Sequence, residues 1–374
     1  MKITDQGVVC AGARGSARSS CAFPGVAVLG SGRWVCGFRA APTKASVPGQ
    51  RALLAWSDDQ GAHWSEPREP FEPPVLDGQP GAFRALQPTA LGGNELLATL
   101  YWVDVSDPSL PFFNEETQGL LDSRLYTAVS PDGGASWGDL RRVDTRPYDV
   151  PTPITGPTLL LPSGEWACQF ELNKHYRDLS VWRHASVMMF SRDRGASWPE
   201  HVVVARDPTN RIFTWDQRPG LLRDGALLDL FWTYDTATAT YLPIHAAASR
   251  DNGRSWTTPW DTGLAGQPAP PVSLRDGSIL CVYVDRGGSP CIKARLSRDG
   301  GRSFAAQTEL LIHGGATRQT RNKSSMQDAW AEMGAFSIGL PTTAALPDGD
   351  VLVIYYAGPE TDLTDIHWCR LRAI

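Results

Sequence analysis

Ser191-Arg192-Asp193-Arg194-Gly195-Ala196-Ser197-Trp198 is one of five copies of an eight-residue pattern, Ser-x-Asp-x-Gly-x-x-Trp, in this chain of 374 residues. Strand-like apolar runs flank it, at residues 186–190 and 201–204. Asp accepts hydrogen bonds from nearby backbone N–H groups and Gly allows a positive φ, so each copy is predicted to be a hairpin turn. The aromatic residue is predicted to fill the gap between neighbouring sheets. The copies, called the repeated turns below, begin at Ser57, Ser130, Ser191, Ser249 and Ser297, and the last one ends in Phe304 instead of Trp.

A second, weaker repeat alternates with the repeated turns. It consists of a Leu, a Gly-containing turn and another apolar run, and its six copies begin at Leu29, Leu91, Leu161, Leu222, Leu274 and Leu346. Two hairpins per repeat give four strands, which make one blade of a β-propeller. The predicted fold class is therefore all-β: a six-bladed β-propeller of four-stranded antiparallel blades, forming a single domain over residues 1–374.

The last blade is predicted to be completed by the start of the chain. Blades one to five are predicted at residues 22–71, 83–143, 152–205, 214–264 and 267–312. After the sixth Leu-Gly turn the chain ends too soon for a fourth strand. The apolar run Gly7-Val8-Val9-Cys10 is predicted to supply that outer strand and close the ring, which explains why a sixth repeated turn is missing.

Composition narrows the range of functions. The net charge is −5 and the sequence has no basic run, so no nucleic-acid partner is predicted. No apolar stretch is long enough to cross a membrane, and the first residues carry no apolar leader. Seven irregularly spaced cysteines predict free, buried thiols and a cytoplasmic protein. Neither a zinc-ligand spacing nor a nucleotide-binding motif is present, so no metal and no cofactor are predicted; the oligomeric state stays open.

The repeated turn resembles the Asp-box, or bacterial neuraminidase repeat, and the whole chain resembles the sialidase superfamily of six-bladed propellers. In that family these turns are structural and lie opposite the active site. The family's substrate-binding signature is not matched. Ala22 stands where the first of three carboxylate-binding arginines is expected, and Phe336 lies near the expected nucleophilic Tyr. The resemblance therefore implies the propeller fold, with a divergent site that lacks the sialidase arginine triad and its specificity for sialic acid.

Topology predicts the face that carries the function. Strand direction alternates, so both kinds of turn lie on one face and all other connections lie on the opposite face. The long connections, at residues 104–122, 171–184, 233–241 and 313–335, all belong to that opposite face. A rigid scaffold with long loops on one side places the predicted site there.

Chemistry-bearing residues are concentrated in these connections and at the adjoining strand ends. Glu171, Asp216 and Asp235 are the predicted acid/base residues and Tyr234 is a possible nucleophile. Glu171 follows an apolar run, whose burial is expected to raise its pKa. Asp216 and Arg218 have the alternative of simply pairing, and Asp235 of capping a turn. The predicted substrate-binding residues are Arg39, Asp104, Lys174, His175, Trp215, Arg218, Gln267, Asp285 and Arg286.

Three functions are consistent with this set of residues. The first is a sialidase-like exo-glycoside hydrolase acting on an acidic or polar sugar. The second is a polysaccharide lyase for uronic-acid glycans, using Tyr234 or His175 as base and Lys174 to neutralise the carboxylate. The third is a carbohydrate-binding propeller without catalysis.

Overall fold

A computed structural model of the chain describes residues 1–287, 289–314 and 324–373. It is an all-β structure with one α-helix in the described part. Several strands are buried along their whole length because both of their faces are covered. All six residues of Trp166–Glu171, for example, are buried.

The strands and the helix follow the chain in a regular order. They are β1 (Lys2–Cys10), β2 (Ser20–Val28), β3 (Trp34–Ala41), β4 (Arg51–Ser57), β5 (Gly81–Gly92), β6 (Glu95–Asp104), β7 (Ser123–Ser130), β8 (Arg141–Arg142), β9 (Leu159–Leu160), β10 (Trp166–Glu171), β11 (Ser186–Ser191), β12 (Glu200–Ala205), β13 (Ile212–Leu221), β14 (Leu227–Asp235), β15 (Thr240–Tyr241), β16 (His245–Ser249), β17 (Trp260–Asp261), β18 (Gln267–Pro268), β19 (Val272–Ser273), β20 (Ile279–Asp285), β21 (Cys291–Ser297), β22 (Ala305–His313), α1 (Met326–Ala335), β23 (Ile338–Ala345), β24 (Val351–Glu360) and β25 (Leu363–Arg372).

The strands form antiparallel groups of three or four that succeed one another along the chain. Two four-stranded sheets are β5 to β8 and β9 to β12. Two further sheets have the orders β13-β14-β16-β17 and β18-β20-β21-β22, each with one additional two-residue strand. The remaining sheet joins β23-β24-β25 to β2-β3-β4, and β1 pairs with β25. In that pair Val8 lies opposite His367, which confirms the pairing predicted for the N-terminal strand.

Each repeated turn is held by the same hydrogen bonds. In the third copy the Ser191 hydroxyl accepts from the backbone N–H of Gly195 at 2.7 Å and donates to the Asp193 carboxylate at 2.8 Å. The same carboxylate accepts from the backbone N–H of Ser197 at 2.8 Å. Gly195 has a φ of 82°, as predicted for this position. The hydroxyl of Ser197, at 2.6 Å, and its backbone N–H hold the pKa of Asp193 at about 2, and the aspartates of the other four copies have the same pKa of about 2.

The aromatic residues of the repeated turns pack between successive sheets, as predicted. Trp198 lies in a cluster with Leu97 and Phe170, from the two sheets that begin with β5 and β9. Five further clusters join the other successive groups, and one of them joins the last group to the first. In that cluster the rings of Trp34 and Trp368 meet edge to face, with their centroids 5.3 Å apart.

Two other sequence predictions can be compared with the structure. All seven cysteines are buried and free, as predicted. No helix in the described residues is long and apolar enough to span a membrane.

Candidate functional site

A cavity of about 440 Å³ lies on the side of the molecule that carries the long connections. Its walls come from the inner strands β2, β5, β13, β18 and β23, and from residues after β3, β6, β10 and α1. Among the described residues, no member of a repeated turn lines it. The cavity therefore opens on the face opposite these turns.

Irregularities in four inner strands direct side chains into the cavity. The strand register shifts at Phe23 in β2, Arg84 in β5, Asp216 in β13 and Leu340 in β23. All four residues line the cavity. Phe23, Asp216 and Leu340 have φ values of 55°, 48° and 44°, in the region that favours glycine. A bulge re-aims a side chain at the cost of local strain, and such strain concentrates at functional sites.

Glu171 is the deepest acidic group in the cavity wall. It ends β10 and is only 5% exposed. One carboxyl oxygen accepts from the backbone N–H of Gln217 at 3.1 Å. Burial, reinforced by the nearby charge of Asp216, raises the pKa of Glu171 well above its ordinary value, although the bulge N–H groups and Arg218 oppose the shift. Glu171 therefore keeps its proton to a higher pH than an exposed glutamate.

Asp216 is the first member of a chain of polar contacts. Its carboxylate accepts from the amide nitrogen of Gln267. The amide oxygen of Gln267 accepts from Nη1 of Arg286 at 2.6 Å. The Arg286 guanidinium stacks over the ring of Phe336, with the guanidinium carbon 3.8 Å from the ring centroid, and Nη2 donates to the carbonyl of Ile338 at 3.3 Å. This series of contacts connects the carboxylate of Asp216 in β13 to the guanidinium of Arg286 after β20.

Four cations line the cavity: Lys44, Arg84, Arg218 and Arg286. Within the described residues, none of them forms an ion pair with a carboxylate. Lys44 donates instead to the carbonyl of Phe336 and to the Tyr356 hydroxyl. Burial, followed by repulsion from neighbouring arginines, lowers the pKa of Lys44 well below its ordinary value. Burial lowers the pKa of Arg84 to about 10. The protein gives these cations hydrogen bonds and contacts with aromatic rings, but no carboxylate partner in the described residues.

Aromatic rings form the opposite wall. Phe113, from the connection after β6, stacks on Trp330 of α1 with ring centroids 4.3 Å apart. Trp215 lies next to Trp330 and is 5% exposed. The indole N–H groups of Trp215 and Trp330 are buried and have no hydrogen-bond partner in the described part of the chain. The wall is therefore built mainly from apolar aromatic faces.

Across residues 1–287, 289–314 and 324–373, no cluster of three or more His, Cys, Asp or Glu side chains is placed to hold a metal ion.

The structure brings six of the predicted site residues together. Glu171, Trp215, Asp216, Arg218, Gln267 and Arg286 line the cavity. Asp216 and Arg218 do not form an ion pair, because the bulge between Trp215 and Arg218 breaks the strand alternation that would place them on one side. Of the long connections, those after β6 and β10 and the helical end of residues 313–335 contribute lining residues; positions 315–323 lie outside the described residues.

Two of the residues predicted to take part in catalysis, Asp235 and Tyr234, lie outside the cavity. Asp235 forms an ion pair with Arg211 at 2.6 Å and accepts from the backbone N–H of Ala237, so it caps a turn. The Arg211 hydrogen bond lowers the pKa of Asp235. Tyr234 lies behind Trp215, with ring centroids 4.8 Å apart, and its hydroxyl donates to the carbonyl of Ser325.

The other predicted binding residues also have structural contacts away from the cavity. Asp104 caps the backbone of Ser106, and Asp285 pairs with Lys293 at 3.0 Å. Lys174 donates to the carbonyl of Ser180, and His175 bonds to the carbonyl of Asp149 at 2.7 Å. Arg39 lies behind Phe23 and donates to Gln50 at 2.9 Å.

Sequence reasoning missed Lys44, Arg84 and Tyr356. Arg84 stands inside an apolar inner strand, Phe83-Arg84-Ala85-Leu86, and a charge in that position is a signal that could have found it. Lys44 lies in an ordinary polar loop, and Tyr356 lies in an apolar run where an aromatic residue suits the core. Neither of these two carries a local signal.

Comparisons with known proteins give structural matches only. No protein-family model matches the sequence, and no curated protein matches it. A protein of unknown function from Dyadobacter fermentans has a TM-score of 0.74 at 19% identity, covering 100% of this chain and 99% of that one. An α-L-arabinanase from Penicillium chrysogenum, solved with arabinobiose, has a TM-score of 0.64 at 14% identity, covering 99% and 98%. An intramolecular trans-sialidase from Ruminococcus gnavus, solved with oseltamivir carboxylate, has a TM-score of 0.61 at 13% identity, covering 96% of both chains.

These neighbours define a class of fold. Sialidases and arabinanases of this kind are β-propeller glycosidases, and the present chain has the same sialidase-like fold over essentially its full length. Identities of 13–19% indicate wide divergence within that fold.

Proposed function

We propose that the chain is a six-bladed propeller closed by its N-terminal strand, and that it is an exo-acting glycoside hydrolase for an acidic or polar sugar. The β1–β25 pairing and the apolar cluster between the last and the first strand groups support the closed ring as a single domain over residues 1–374. The repeated turns would then be Asp-boxes on the face away from the substrate. The free, buried thiols support a cytoplasmic location.

The observation that carries the enzymatic proposal is that Glu171 and Asp216 line the same cavity. Glycoside hydrolysis uses one carboxylic acid to protonate the leaving oxygen and one carboxylate as base or nucleophile. The raised pKa of Glu171 suits the acid. Asp216, held at a strained bulge and bonded to Gln267, suits the carboxylate. Tyr234 and Asp235 take no part in this proposal because neither reaches the cavity.

The cations support an acidic substituent on the sugar. Lys44 is buried and Arg84 and Arg286 are half-buried beside the cavity, and none of the three has a carboxylate partner in the described residues. A carboxylate or another anionic group on the substrate would supply the missing charge and accept from several donors at once. Among the structural neighbours, the trans-sialidase holds an acidic ligand and the arabinanase a neutral one, so the fold accommodates both classes.

The shape of the cavity supports cleavage at chain ends. α1 and the connection after β6 meet on one side, where Gln327 donates to the carbonyl of Glu115 at 2.9 Å and Trp330 stacks on Phe113. A pocket of about 440 Å³ with such a wall fits a terminal sugar better than the middle of a long polymer.

A panel of fluorogenic aryl glycosides, including uronides, sialosides and arabinosides, tests the proposal. Release of fluorophore by the wild-type protein is expected for an acidic sugar, with strong loss in Glu171→Gln and Asp216→Asn. Glu95→Gln is the matched control, because Glu95 is an exposed partner of Arg194 on the turn face. Unchanged turnover in both cavity variants would contradict the assignment.

The lyase alternative has one observation in its favour. Its predicted residues Tyr234, His175 and Lys174 lie outside the cavity, but Tyr356 lines it and accepts from Lys44 at 3.1 Å. A tyrosine beside a cation is the pairing that β-elimination from a uronate needs. Appearance of an unsaturated uronate product, lost in Tyr356→Phe, would support the lyase. Tight glycan binding without any product would support the non-catalytic propeller.

A further inference from the structure

We propose that Gln267 is a positioning residue: its amide, oriented by Arg286, holds Asp216 as a hydrogen-bond acceptor and so assigns the proton of the acidic pair to Glu171. This inference rests on the proposed function only for its catalytic meaning. The hydrogen bonds that carry it do not depend on any reaction.

The direction of the amide follows from what each partner can do. Arg286 has only donors, so the group facing its Nη1 at 2.6 Å must be the oxygen of Gln267. The nitrogen end of the same amide is then turned toward Asp216, to which it donates. A carboxyl group that receives an N–H is favoured in its ionised, acceptor-only form.

The two hydrogen bonds, from Arg286 to Gln267 and from Gln267 to Asp216, are called the relay below. Its two donor residues, Arg286 and Gln267, are both held by the surrounding structure. Arg286 is fixed by Phe336 below its guanidinium plane and by the carbonyl of Ile338. Gln267 is 3% exposed and pairs with Val284 in the strand ladder. Both hydrogen bonds of the Gln267 amide are made within the protein, so its orientation does not depend on a ligand.

Other charged or titratable groups also face Asp216. They are Glu171 from β10, Arg218 from β13, Tyr241 from β15, Arg286 from the segment after β20 and Tyr356 from β24. The charge of Asp216 is one of the causes that raise the pKa of Glu171. A hydrogen bond that favours the charge of Asp216 therefore also disfavours a charge on Glu171, and the two carboxyl groups receive opposite roles.

The test is a pH titration of carboxyl ¹³C resonances in the full chain labelled at the Asp side chains, with Asp216 assigned by its disappearance in Asp216→Asn. Gln267→Met keeps a similar volume and removes both hydrogen bonds. We expect the Asp216 titration to move upward by about one pH unit, the equivalent of one hydrogen bond to a charged group. In Gln267→Glu, which keeps the contact with Arg286 but faces Asp216 with a second carboxylate, we expect a larger upward shift.

Gln87→Met is the matched control, because Gln87 is 4% exposed, lines the same cavity and has no hydrogen bond to Asp216. It is expected to leave the Asp216 titration in place. Equal titrations in wild type, Gln267→Met and Gln267→Glu would overturn the relay, even if the variants were less stable.

Activity gives an independent readout. If a substrate is cleaved, the acid side of the pH–activity profile should move upward in Gln267→Met by the same amount as the resonance, with little change in KM. A titration shift without any activity in the wild-type protein would leave the relay standing and contradict the hydrolase proposal. Activity whose pH profile is identical in wild type and Gln267→Met would contradict the relay alone.

Discussion

Charged groups on the two faces of this propeller differ in the partners that the protein gives them. On the turn face, Ser191, Asp193 and Gly195 satisfy one another, and the other four copies repeat the arrangement. On the cavity face, four cations line the cavity without an ion pair to a carboxylate in the described residues: Lys44, Arg84, Arg218 and Arg286. Buried indole N–H groups without a partner in those residues occur on both faces, at Trp198 of a repeated turn as well as at Trp215. Charges that are removed from water are normally paired, so cations without a carboxylate partner require an explanation. The contrast separates carboxylates that hold the turns of the fold from cations that line the cavity without a carboxylate partner.

The largest effect should come from the cavity face. Replacing Glu171 by Gln removes the proton donor while keeping shape and burial, so kcat/KM should fall by about 10²- to 10⁴-fold. The melting temperature should not fall, because the new amide oxygen can still accept from the backbone N–H of Gln217 and a neutral amide replaces a group whose charge burial disfavours. Steady-state kinetics and thermal unfolding measure the two quantities. A loss of folding equal to the loss of activity would mean that Glu171 is structural.

The turn face should show the reverse pattern. Ser191→Ala leaves the buried N–H of Gly195 without its acceptor, which should cost about 1–3 kcal/mol in the free energy of unfolding. Activity per folded molecule should be unchanged. Ser197→Ala is the matched control: the exposed Ser197 hydroxyl also donates to Asp193, and its loss should cost at most about 0.5 kcal/mol. Denaturant unfolding of the three proteins measures the difference, and equal losses would contradict the role given to Ser191.

Removing an unpaired cation should stabilise the protein and weaken anion binding. Lys44→Met replaces a buried amine by an apolar side chain of similar length, and the free energy of unfolding should rise by about 1 kcal/mol. Sulfate, which screens or occupies the cationic wall, should raise the melting temperature of the wild type more than that of Lys44→Met. Arg14→Met is the control, since Arg14 forms an exposed ion pair with Glu360. Equal responses to sulfate would mean that Lys44 does not contribute to an anion site.

Local chemistry made the turn face predictable from the sequence. Ser, Asp and Gly act over eight residues, so the pattern alone predicted the hairpins, the positive φ of Gly195 and the packing of Trp198 between sheets. The N-terminal strand was also predictable, because a missing fourth strand and an apolar run near Val8 complement each other. The strand groups therefore follow the predicted order. The helix Met326–Ala335 also begins with local chemistry, because the backbone N–H of Asp328 donates to the side chain of its N-cap residue, Ser325.

The cavity was predicted only in part, because it is assembled across distant strands. Glu171 and Gln267 stand at strand ends, where topology alone places them on the open face. Asp216 owes its direction to a bulge that strand alternation does not reveal. Asp235 had the same apparent position as Glu171, yet Arg211 from a neighbouring loop binds it outside the cavity. Lys44 reaches the site through a contact with Phe336, 292 residues away, which no local pattern encodes.

The smallest expected effect is on the pH dependence of stability, which has opposite signs for Asp193 on the turn face and Glu171 on the cavity face. The folded-state pKa of Asp193 is about 2 against 3.8 for a free Asp, so its contribution to stability is complete above pH 4 and lost as pH falls toward 2. The pKa of Glu171 is raised instead, so the unfolded chain loses that proton first and stability falls as pH rises above about 4.5. Asp193→Asn should therefore flatten the acid side of a plot of melting temperature against pH. Glu171→Gln should gain on the wild type as pH rises, because Gln has no proton to lose. Parallel curves for wild type and Glu171→Gln would show that Glu171 ionises in the folded protein as it does in water. The opposite pKa shifts proposed for the carboxyl groups of the two faces would then be contradicted.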